Sequence, residues 1–327
     1  MSSRDRSRVA LVSRRGLLAG AAVAASGAAI AQSAPPAHVK GPVVWLNMDQ
    51  KELDDAYDQA VYAPNAPQLH KRRQEKSKEV RARLGEPKRV AYGPTPVEML
   101  DIYATKRPNA PINIFIHGGA WRSGHAWEFA DAAELFVHAG AHFVVPDFID
   151  VIAAGGSLFP MVEQVRRAVA WVAKNAASFG GDGNRVYVSG RSSGAHLAGV
   201  VLITDWQKDF GMSKDAVKGA LLSSGMYDLK PVRLSKRGAY VKFTDEMEDA
   251  LSTQRHLERI NCPVIVAYGT YETPEFQRQA RDFAAALKAA GKPVTLLTGP
   301  YNHFEMPETL GNPYGLLGRA VLEQMKL

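Results

Sequence analysis

From about residue 89 onward, the apolar positions of this chain alternate between two patterns. Short continuous apolar runs predict buried strands, and apolar residues three or four apart predict helices. The predicted strands are 89–92, 99–103, 112–116, 143–145, 186–188, 220–222, 264–267 and 294–297. The predicted helices are 127–137, 162–172, 195–203, 276–287 and 316–325. This alternation favours the α/β class, with about eight strands in a mostly parallel sheet and helices on both faces.

The chain before the first parallel strand has a different pattern. The first two strands are joined at Gly93 and Pro94, which predicts an antiparallel pair. Residues 45–84 are polar with helical spacing and are interrupted at Pro64 and Pro67. The pattern leaves open whether this segment caps a cleft or pads the core.

Residues 1–31 have the features of a bacterial signal peptide. They combine a basic start, a short apolar stretch and an Ala-Ile-Ala cleavage signature at 29–31. Arg14 and Arg15 are followed by leucines, which is typical of a twin-arginine signal. We therefore expect contact with the export machinery and a periplasmic or secreted enzyme. A general secretory signal and an uncleaved anchor are the alternatives.

Charge and cysteine content narrow the possible partners. Residues 1–31 contribute +4 of the formal net charge of +7, so the remainder carries an unremarkable +3. The basic run 70–83 is interrupted by Glu75 and Glu79, which favours a solvated helix face over a nucleic-acid surface. Cys262 is the single cysteine, so an intramolecular disulfide and a cysteine zinc cluster are excluded. The apolar stretch of the leader is shorter than the about 20 residues of a bilayer span, so no stable span is expected after processing.

A candidate nucleophile follows the strand at 186–188. Residues 190–194 read Gly-Arg-Ser-Ser-Gly, between that strand and a predicted helix. A serine on this sharp turn needs small residues two positions before and after it, where strand and helix approach closely. Ser192 meets this requirement, whereas Ser193 is flanked by larger residues. His196 lies on the following helix and is interpreted as a packing histidine.

A candidate oxyanion hole follows the strand at 112–116. Residues 117–121 read His-Gly-Gly-Ala-Trp, and backbone N–H groups in such a loop can receive the negative charge that acyl transfer develops. The candidate donors are Gly118, Gly119, Ala120 and Ser193. The candidate pocket residues are Trp121, Arg122 and Tyr301. A simple glycine turn is the alternative for this loop.

Two later strands are followed by the candidate base and acid. His303 lies in the loop after 294–297, and Glu272 in the loop after 264–267. Glu275 is expected to open the next helix, and Asp228 stays open as an alternative acid. The order serine, acid, histidine is that of the α/β-hydrolases.

Several segments together resemble the kynurenine formamidase, or arylformamidase, branch of the α/β-hydrolases, from about Tyr57 to the C-terminus. They read His-Gly-Gly-Ala-Trp at 117–121, Phe-Gly-Gly-Asp at 179–182, Gly-Arg-Ser-Ser-Gly-Ala-His-Leu at 190–197, Pro-Glu-Phe-Gln-Arg-Gln at 274–279 and His-Phe-Glu at 303–305. The resemblance implies an α/β-hydrolase fold and hydrolysis of N-formylkynurenine or small carboxylic esters. The family's acid is normally aspartate, whereas this chain has Glu272.

The sequence thus predicts a signal peptide at 1–31, a partly helical extension at 32–86 that is a possible cap, and an α/β-hydrolase catalytic domain at 87–327. The expected activity is cleavage of a small-molecule ester through an acyl-serine, without metal or organic cofactor. Export favours an ester over a formyl amide, because formylkynurenine hydrolysis belongs to cytoplasmic tryptophan breakdown. An arylformamidase and an inactive binding protein are the alternatives.

Overall fold

The computed structural model of the protein describes residues 38–327. The predicted signal peptide at 1–31 lies outside the described residues. Residues 41–327 form one compact unit, so the helices before residue 87 and the sheet after it are described together.

Eight strands of the described chain form one sheet. The strands within residues 38–327, β1 to β10 in chain order, are Val43–Trp45, Met48–Asp49, Lys88–Ala91, Met99–Tyr103, Ala110–Ile116, His142–Pro146, Gly181–Arg191, Val217–Ser223, Val264–Gly269 and Val294–Gly299. β1 and β2 pair separately as an antiparallel hairpin, and the sheet order is β10-β9-β8-β7-β5-β6-β4-β3. β4 is antiparallel to β3 and to β6, and the remaining pairs are parallel. The predicted sheet and its antiparallel start are confirmed.

Helices lie between most of these strands. The α-helices within the described residues, α1 to α11, are Gln50–Ala56, Gln59–Tyr62, Ala66–Leu84, Ala133–Ala139, Phe159–Asn175, Ser193–Leu202, Trp206–Phe210, Lys230–Leu234, Asp245–Leu251, Pro274–Ala289 and Leu316–Met325. The 3-10 helices are Ala126–Ala132, Ala176–Phe179, Lys236–Ala239, Thr253–Arg255, Leu257–Arg259 and Met306–Gly311. The helix predicted at 127–137 is instead the 3-10 helix Ala126–Ala132 followed by α4, and the 3-10 helix is itself kinked at Phe129, which has φ −121° and ψ 30°.

The segment before the sheet is less continuous than its pattern predicts. The β1–β2 hairpin occupies its start, and three helices follow. Pro67 lies in the first turn of α3 and does not interrupt it, because a proline there gives up no intrahelical hydrogen bond. Tyr57, just after α1, is buried and packs against Phe276 of α10. The segment therefore contributes side chains to the core.

Apolar side chains cover both faces of the sheet. Along β5, Ile112, Ile114 and Ile116 pack into one cluster, and Phe115 packs into the cluster on the opposite face. This alternation follows from the two-residue repeat of a strand and confirms that helices cover both sides. Within residues 38–327, no helix is both long enough and apolar enough to cross a bilayer.

Candidate active site

Ser192 occupies the sharp turn between β7 and α6. Its backbone has φ 54° and ψ −128°, in the left-handed half of conformational space that non-glycine residues rarely adopt. Its N–H donates to the carbonyl oxygen of Ser223 at 2.9 Å, which ties the turn to the end of β8. This turn brings Ser192 to the wall of a cavity at the carboxyl ends of the strands.

Two glycines make the turn sterically possible. A Cβ on Gly194 would lie 2.1 Å from the carbonyl oxygen of Ile116, and one on Gly190 would lie 2.4 Å from the carbonyl oxygen of Gly194. Both distances are far below van der Waals contact, and the opposing atoms are backbone atoms. The glycine pattern read from the sequence therefore corresponds to real close approaches.

His303 connects Ser192 to Glu272. Its Nε2 lies 2.9 Å from Ser192 Oγ, and its Nδ1 lies 2.7 Å from Glu272 Oε2. An ionised carboxylate can only accept, so Nδ1 carries the proton and Nε2 is left to accept from the serine hydroxyl. All three residues are buried. The predicted nucleophile, base and acid are thus brought together in one hydrogen-bonded chain.

The second carboxylate oxygen of Glu272 has two further donors. The Ser224 hydroxyl donates to Oε1 at 2.6 Å, and the Gly269 N–H donates to the same oxygen at 2.7 Å. Asp228, the alternative acid, instead accepts from the N–H of Lys230 and pairs with Arg255. The structure therefore places Glu272 beside His303 and leaves Asp228 outside the site.

The surroundings of His303 favour its neutral form. Burial has the largest effect on the pKa of His303 and lowers it, whereas the Glu272 carboxylate raises it. The positive charges of Arg191 and Arg237 lower it further, and the net direction is downward from 6.5. A neutral imidazole can accept the serine proton, so these charges keep His303 ready to act as a base.

The loop after β5 presents unused backbone donors. Gly119, Ala120 and Trp121 have φ values of 135°, 55° and 61°. Within residues 38–327, no hydrogen bond uses the backbone N–H of Gly119, Ala120 or Ser193. Gly119 and Ala120 line the cavity, whereas Gly118 packs behind it, where a Cβ would lie 2.9 Å from the carbonyl oxygen of Arg191.

Two buried histidines hold this loop in place. The ring of His117 stacks between Phe129 and Phe148, at 5.0 and 4.4 Å between ring centroids. His196 accepts from Trp121 Nε1 at 3.3 Å through Nδ1, and its Nε2 lies 3.0 Å from the Leu251 carbonyl oxygen. Burial lowers the pKa of each histidine to about 4, so both stay neutral. This confirms the interpretation of His196 as a packing residue.

The two serines of the turn have different surroundings. The Ser193 hydroxyl accepts from the Trp121 N–H at 3.2 Å and so joins the loop after β5 to α6. Ser193 is 2% exposed, and its side chain is committed to this contact. Only Ser192 of the pair lines the cavity, in agreement with the sequence motif.

The cavity beside Ser192 has a volume of about 360 Å³. Arg122 lines it, as predicted. The prediction that Trp121 and Tyr301 line this cavity was wrong. The left-handed backbone of Trp121 turns its indole into the core, where it bonds His196, and Tyr301 faces a different depression near Glu308.

Sequence reasoning missed part of the cavity wall. The lining residues that it did not single out include Tyr57, Gln59, His70, Arg237, Tyr240 and Phe304. They come from the end of α1, from α2 and α3, from the 3-10 helix after α8 with the residue that follows it, and from the loop after β10. Apart from Phe304, which directly follows His303, they belong to no motif, and only the packing of distant segments brings them together. Ser224 had a usable signal, because it directly follows β8 at the same edge of the sheet.

This arrangement is suited to acyl transfer. A hydroxyl lies within hydrogen-bond distance of a neutral imidazole, the imidazole is oriented by a carboxylate, and free N–H groups line the same cavity. No cluster of three or more His, Cys, Asp or Glu side chains within residues 38–327 is arranged to hold a metal ion. The chemistry that these residues offer is nucleophilic.

The fold and this site define an α/β-hydrolase. A solved structure from a Silicibacter species, assigned as a thioesterase, has a TM-score of 0.71 at 21% identity, covering 84% of this chain and 99% of that one. Butyrate-bound esterase Est2 of Thermogutta terrifontis has a TM-score of 0.62 at 22% identity, covering 74% of this chain and 95% of that one. At these identities the likeness establishes the fold alone.

The chain belongs to the BD-FAE family, whose sequence model matches residues 100–279. It is similar to kynurenine formamidase of Danio rerio, with 31% identity covering 86% of this chain and 98% of that protein. It is also similar to esterase LipC of Mycobacterium tuberculosis, with 28% identity covering 63% of this chain and 56% of that protein. The protein is therefore a hydrolase that resembles both esterases and arylformamidases.

Proposed function

We propose that this protein is an exported serine hydrolase that cleaves small carboxylic esters through an acyl-serine intermediate. The observation that carries the proposal is the hydrogen-bonded chain from Ser192 through His303 to Glu272, with separations of 2.9 and 2.7 Å. A serine is activated for acyl transfer when a base lies within hydrogen-bond distance of its hydroxyl and an acid orients that base. The esterases among the similar proteins support the same reaction class.

The first half of the reaction forms the acyl-enzyme. The Ser192 hydroxyl gives its proton to His303 Nε2 while its oxygen attacks the carbonyl carbon of the ester. The oxyanion that forms receives hydrogen bonds from the N–H groups of Gly119, Ala120 and Ser193. His303 then protonates the departing alcohol, and the carbonyl carbon stays bonded to Ser192.

The second half repeats these steps with water. His303 removes a proton from water, and the resulting hydroxide attacks the acyl carbon. The oxyanion forms again beside Gly119 and Ala120, and His303 returns the proton to Ser192 as the carboxylic acid leaves. Glu272 keeps the imidazole oriented and stabilises its charged form in both halves.

Hydrolysis of a formyl amide is the second candidate. The observation that favours it is the similarity to kynurenine formamidase over 298 residues. The same groups can attack a formyl carbonyl. The two reactions differ in the leaving group that His303 protonates, which is an alcohol for an ester and an amine for a formyl amide. We prefer the ester because the predicted leader directs the protein away from cytoplasmic tryptophan breakdown.

A direct comparison of two substrates separates these activities. The values of kcat/KM for p-nitrophenyl acetate and N-formylkynurenine are measured with the mature chain and with Ser192→Ala. We expect Ser192-dependent turnover of both and a larger value for the ester. A much larger value for the formyl amide would favour the second candidate, and the absence of Ser192-dependent turnover of either would leave an inactive binding protein.

Export is tested separately in a bacterial host that has the twin-arginine pathway. We expect the processed chain in the periplasm, with its new N-terminus at Gln32. The double variant Arg14→Lys, Arg15→Lys should retain the full-length precursor in the cytoplasm, whereas the double variant Arg4→Lys, Arg6→Lys should leave export unchanged. Periplasmic product from the Arg14 and Arg15 variant would contradict the twin-arginine route.

A further inference from the structure

The cavity beside Ser192 carries an excess of positive charge. Three arginines line it, namely Arg122, Arg191 and Arg237. Among the described residues, no carboxylate forms an ion pair with any of the three, in contrast to Lys236, which pairs with Asp58 at the same rim. A guanidinium stays protonated at neutral pH, so three positive charges without an ion-pairing carboxylate line the surface where substrate binds.

Two of these arginines share one wall. Arg237 donates to the Tyr240 hydroxyl at 3.0 Å and to the Tyr57 carbonyl oxygen at 3.2 Å. The Arg122 guanidinium lies 4.3 Å from the centre of the Tyr240 ring. Tyr240 thus holds both guanidinium groups against one side of the cavity. Arg122, Arg237 and Tyr240 are here called the cationic wall.

Buried polar groups at the cavity also lack partners. Gln59 is 7% exposed, and neither its amide nitrogen nor its amide oxygen has a hydrogen-bond partner among the described residues. Arg237 is 6% exposed, and its Nε is unpaired. Buried polar groups without partners are costly and uncommon in folded proteins. Gln59 and Arg237 both line the cavity, so unused hydrogen-bonding capacity adjoins the surface where substrate binds.

We propose that the cavity selects esters or amides that also carry a carboxylate, and that the cationic wall binds this carboxylate. The proposal rests on the proposed hydrolase function and names its substrate class. The planar guanidinium offers two parallel N–H donors, which match the two oxygens of a carboxylate. This geometry favours a carboxylate over a more diffuse anion. A cavity of about 360 Å³ limits the substrate to a small molecule.

Arg191 adds a third positive charge to the lining of the same cavity. It is 6% exposed, and no hydrogen bond is made by its Nε within the described residues. Burial lowers its pKa to about 9, which still leaves it positively charged at neutral pH. It therefore adds attraction for an anion, and it repels a cationic substrate.

Three aryl acetates with nearly the same leaving group test the selection. They are 4-acetoxyphenylacetate, its neutral carboxamide and the acetate ester of tyramine, which carries an ammonium group. We expect kcat/KM to be about tenfold or more higher for the carboxylate than for the carboxamide, and lowest for the ammonium ester. A second pair, monophenyl adipate and its carboxamide, places the carboxylate on the acyl side.

Arginine variants test whether the cationic wall is responsible. Arg122→Gln and Arg237→Gln should each reduce the carboxylate-to-carboxamide ratio, mainly by raising KM for the carboxylate. Arg122 is exposed, so its variant should fold even if the buried Arg237 variant does not. Arg237→Lys keeps the charge without the fork and should give an intermediate ratio. Arg319→Gln, on the exposed face of α11, is the matched control and should keep the full ratio.

The outcomes separate this proposal from the proposed function. Ser192-dependent hydrolysis of the neutral esters without preference for a carboxylate in either series would overturn the substrate class alone. A preference that survives in both Arg122→Gln and Arg237→Gln would overturn the role of the cationic wall. If no ester is cleaved, the proposed hydrolase function is contradicted. The preference for a carboxylate is then tested by comparing the calorimetric affinities of 4-hydroxyphenylacetate and its carboxamide. Equal affinity for these two would overturn it.

Discussion

At the scale of single residues, the contacts of Glu272 show how an acid one methylene longer than aspartate fits this site. The resemblance to kynurenine formamidases predicts aspartate here, and glutamate adds one methylene. Ser224 and the Gly269 N–H hold Oε1 at 2.6 and 2.7 Å, so Oε2 is fixed 2.7 Å from His303 Nδ1. These two hydrogen bonds position the longer side chain of Glu272 so that its carboxylate stays within hydrogen-bond distance of the imidazole.

Replacement of Glu272 with glutamine tests this role. The amide removes the negative charge that stabilises the imidazolium and permits the wrong histidine tautomer. We expect kcat for p-nitrophenyl acetate to fall by roughly 10³–10⁴, as for the equivalent change in other serine triads. Asp228→Asn is the control and should keep kcat near the wild-type value. A larger loss in Asp228→Asn than in Glu272→Gln would reverse the assignment of the acid.

The pH dependence of kcat/KM reports the environment of His303. The imidazole accepts a proton only when it is neutral, so activity is lost as pH falls through its pKa. Burial and the two arginines lower this pKa, so the acid limb should lie below pH 6.5. Arg237→Gln removes a positive charge and should move the limb to higher pH, whereas Arg319→Gln should not. A limb above pH 6.5 in the wild type would contradict this account.

At the scale of elements, the turn between β7 and α6 depends on backbone atoms that meet closely. The start of α6 approaches the carbonyl groups that follow β5, and Gly194 is the residue that leaves room for them. Ser193 fastens the same junction through the Trp121 N–H. One tight junction therefore sets the position of the nucleophile and of the loop donors together.

An alanine at Gly194 tests this junction. Its Cβ would lie 2.1 and 2.4 Å from the carbonyl oxygens of Ile116 and His117, so the backbone must shift. We expect a loss of about 1–3 kcal/mol in the free energy of unfolding, together with a large loss of kcat. Gly41→Ala is the control, because its Cβ would meet Asp49 at an ordinary 3.6 Å. Equal urea midpoints of unfolding for the two variants would contradict the claim that the close contacts at Gly194 stabilise this junction.

At the scale of the whole molecule, the strand order decides which loops meet. The neighbouring parallel strands β5, β7, β8, β9 and β10 all end at one edge of the sheet. Their following loops supply the free N–H groups, Ser192, Ser224, Glu272 and His303. A single sheet therefore assembles a site from residues far apart in the chain.

Much of this site was predictable because each catalytic candidate directly follows a strand with a clear apolar pattern. Ser192, Glu272 and His303 were predicted in this way. Arg237 and Gln59 were not, because they belong to no motif and reach the cavity only through tertiary packing. The β1–β2 hairpin was missed for a related reason, since strands of three and two residues are too short to show an alternation.

Fluorophosphonate labelling tests the central claim, that Ser192 is an activated nucleophile, most directly. The wild-type protein and its Ser192→Ala and Ser193→Ala variants are incubated with the probe, and the labelled peptide is identified by mass spectrometry. The account predicts one label per chain on Ser192, no label in Ser192→Ala and retained label in Ser193→Ala. Folded wild-type protein that stays unlabelled, or a label that persists in Ser192→Ala, would contradict it.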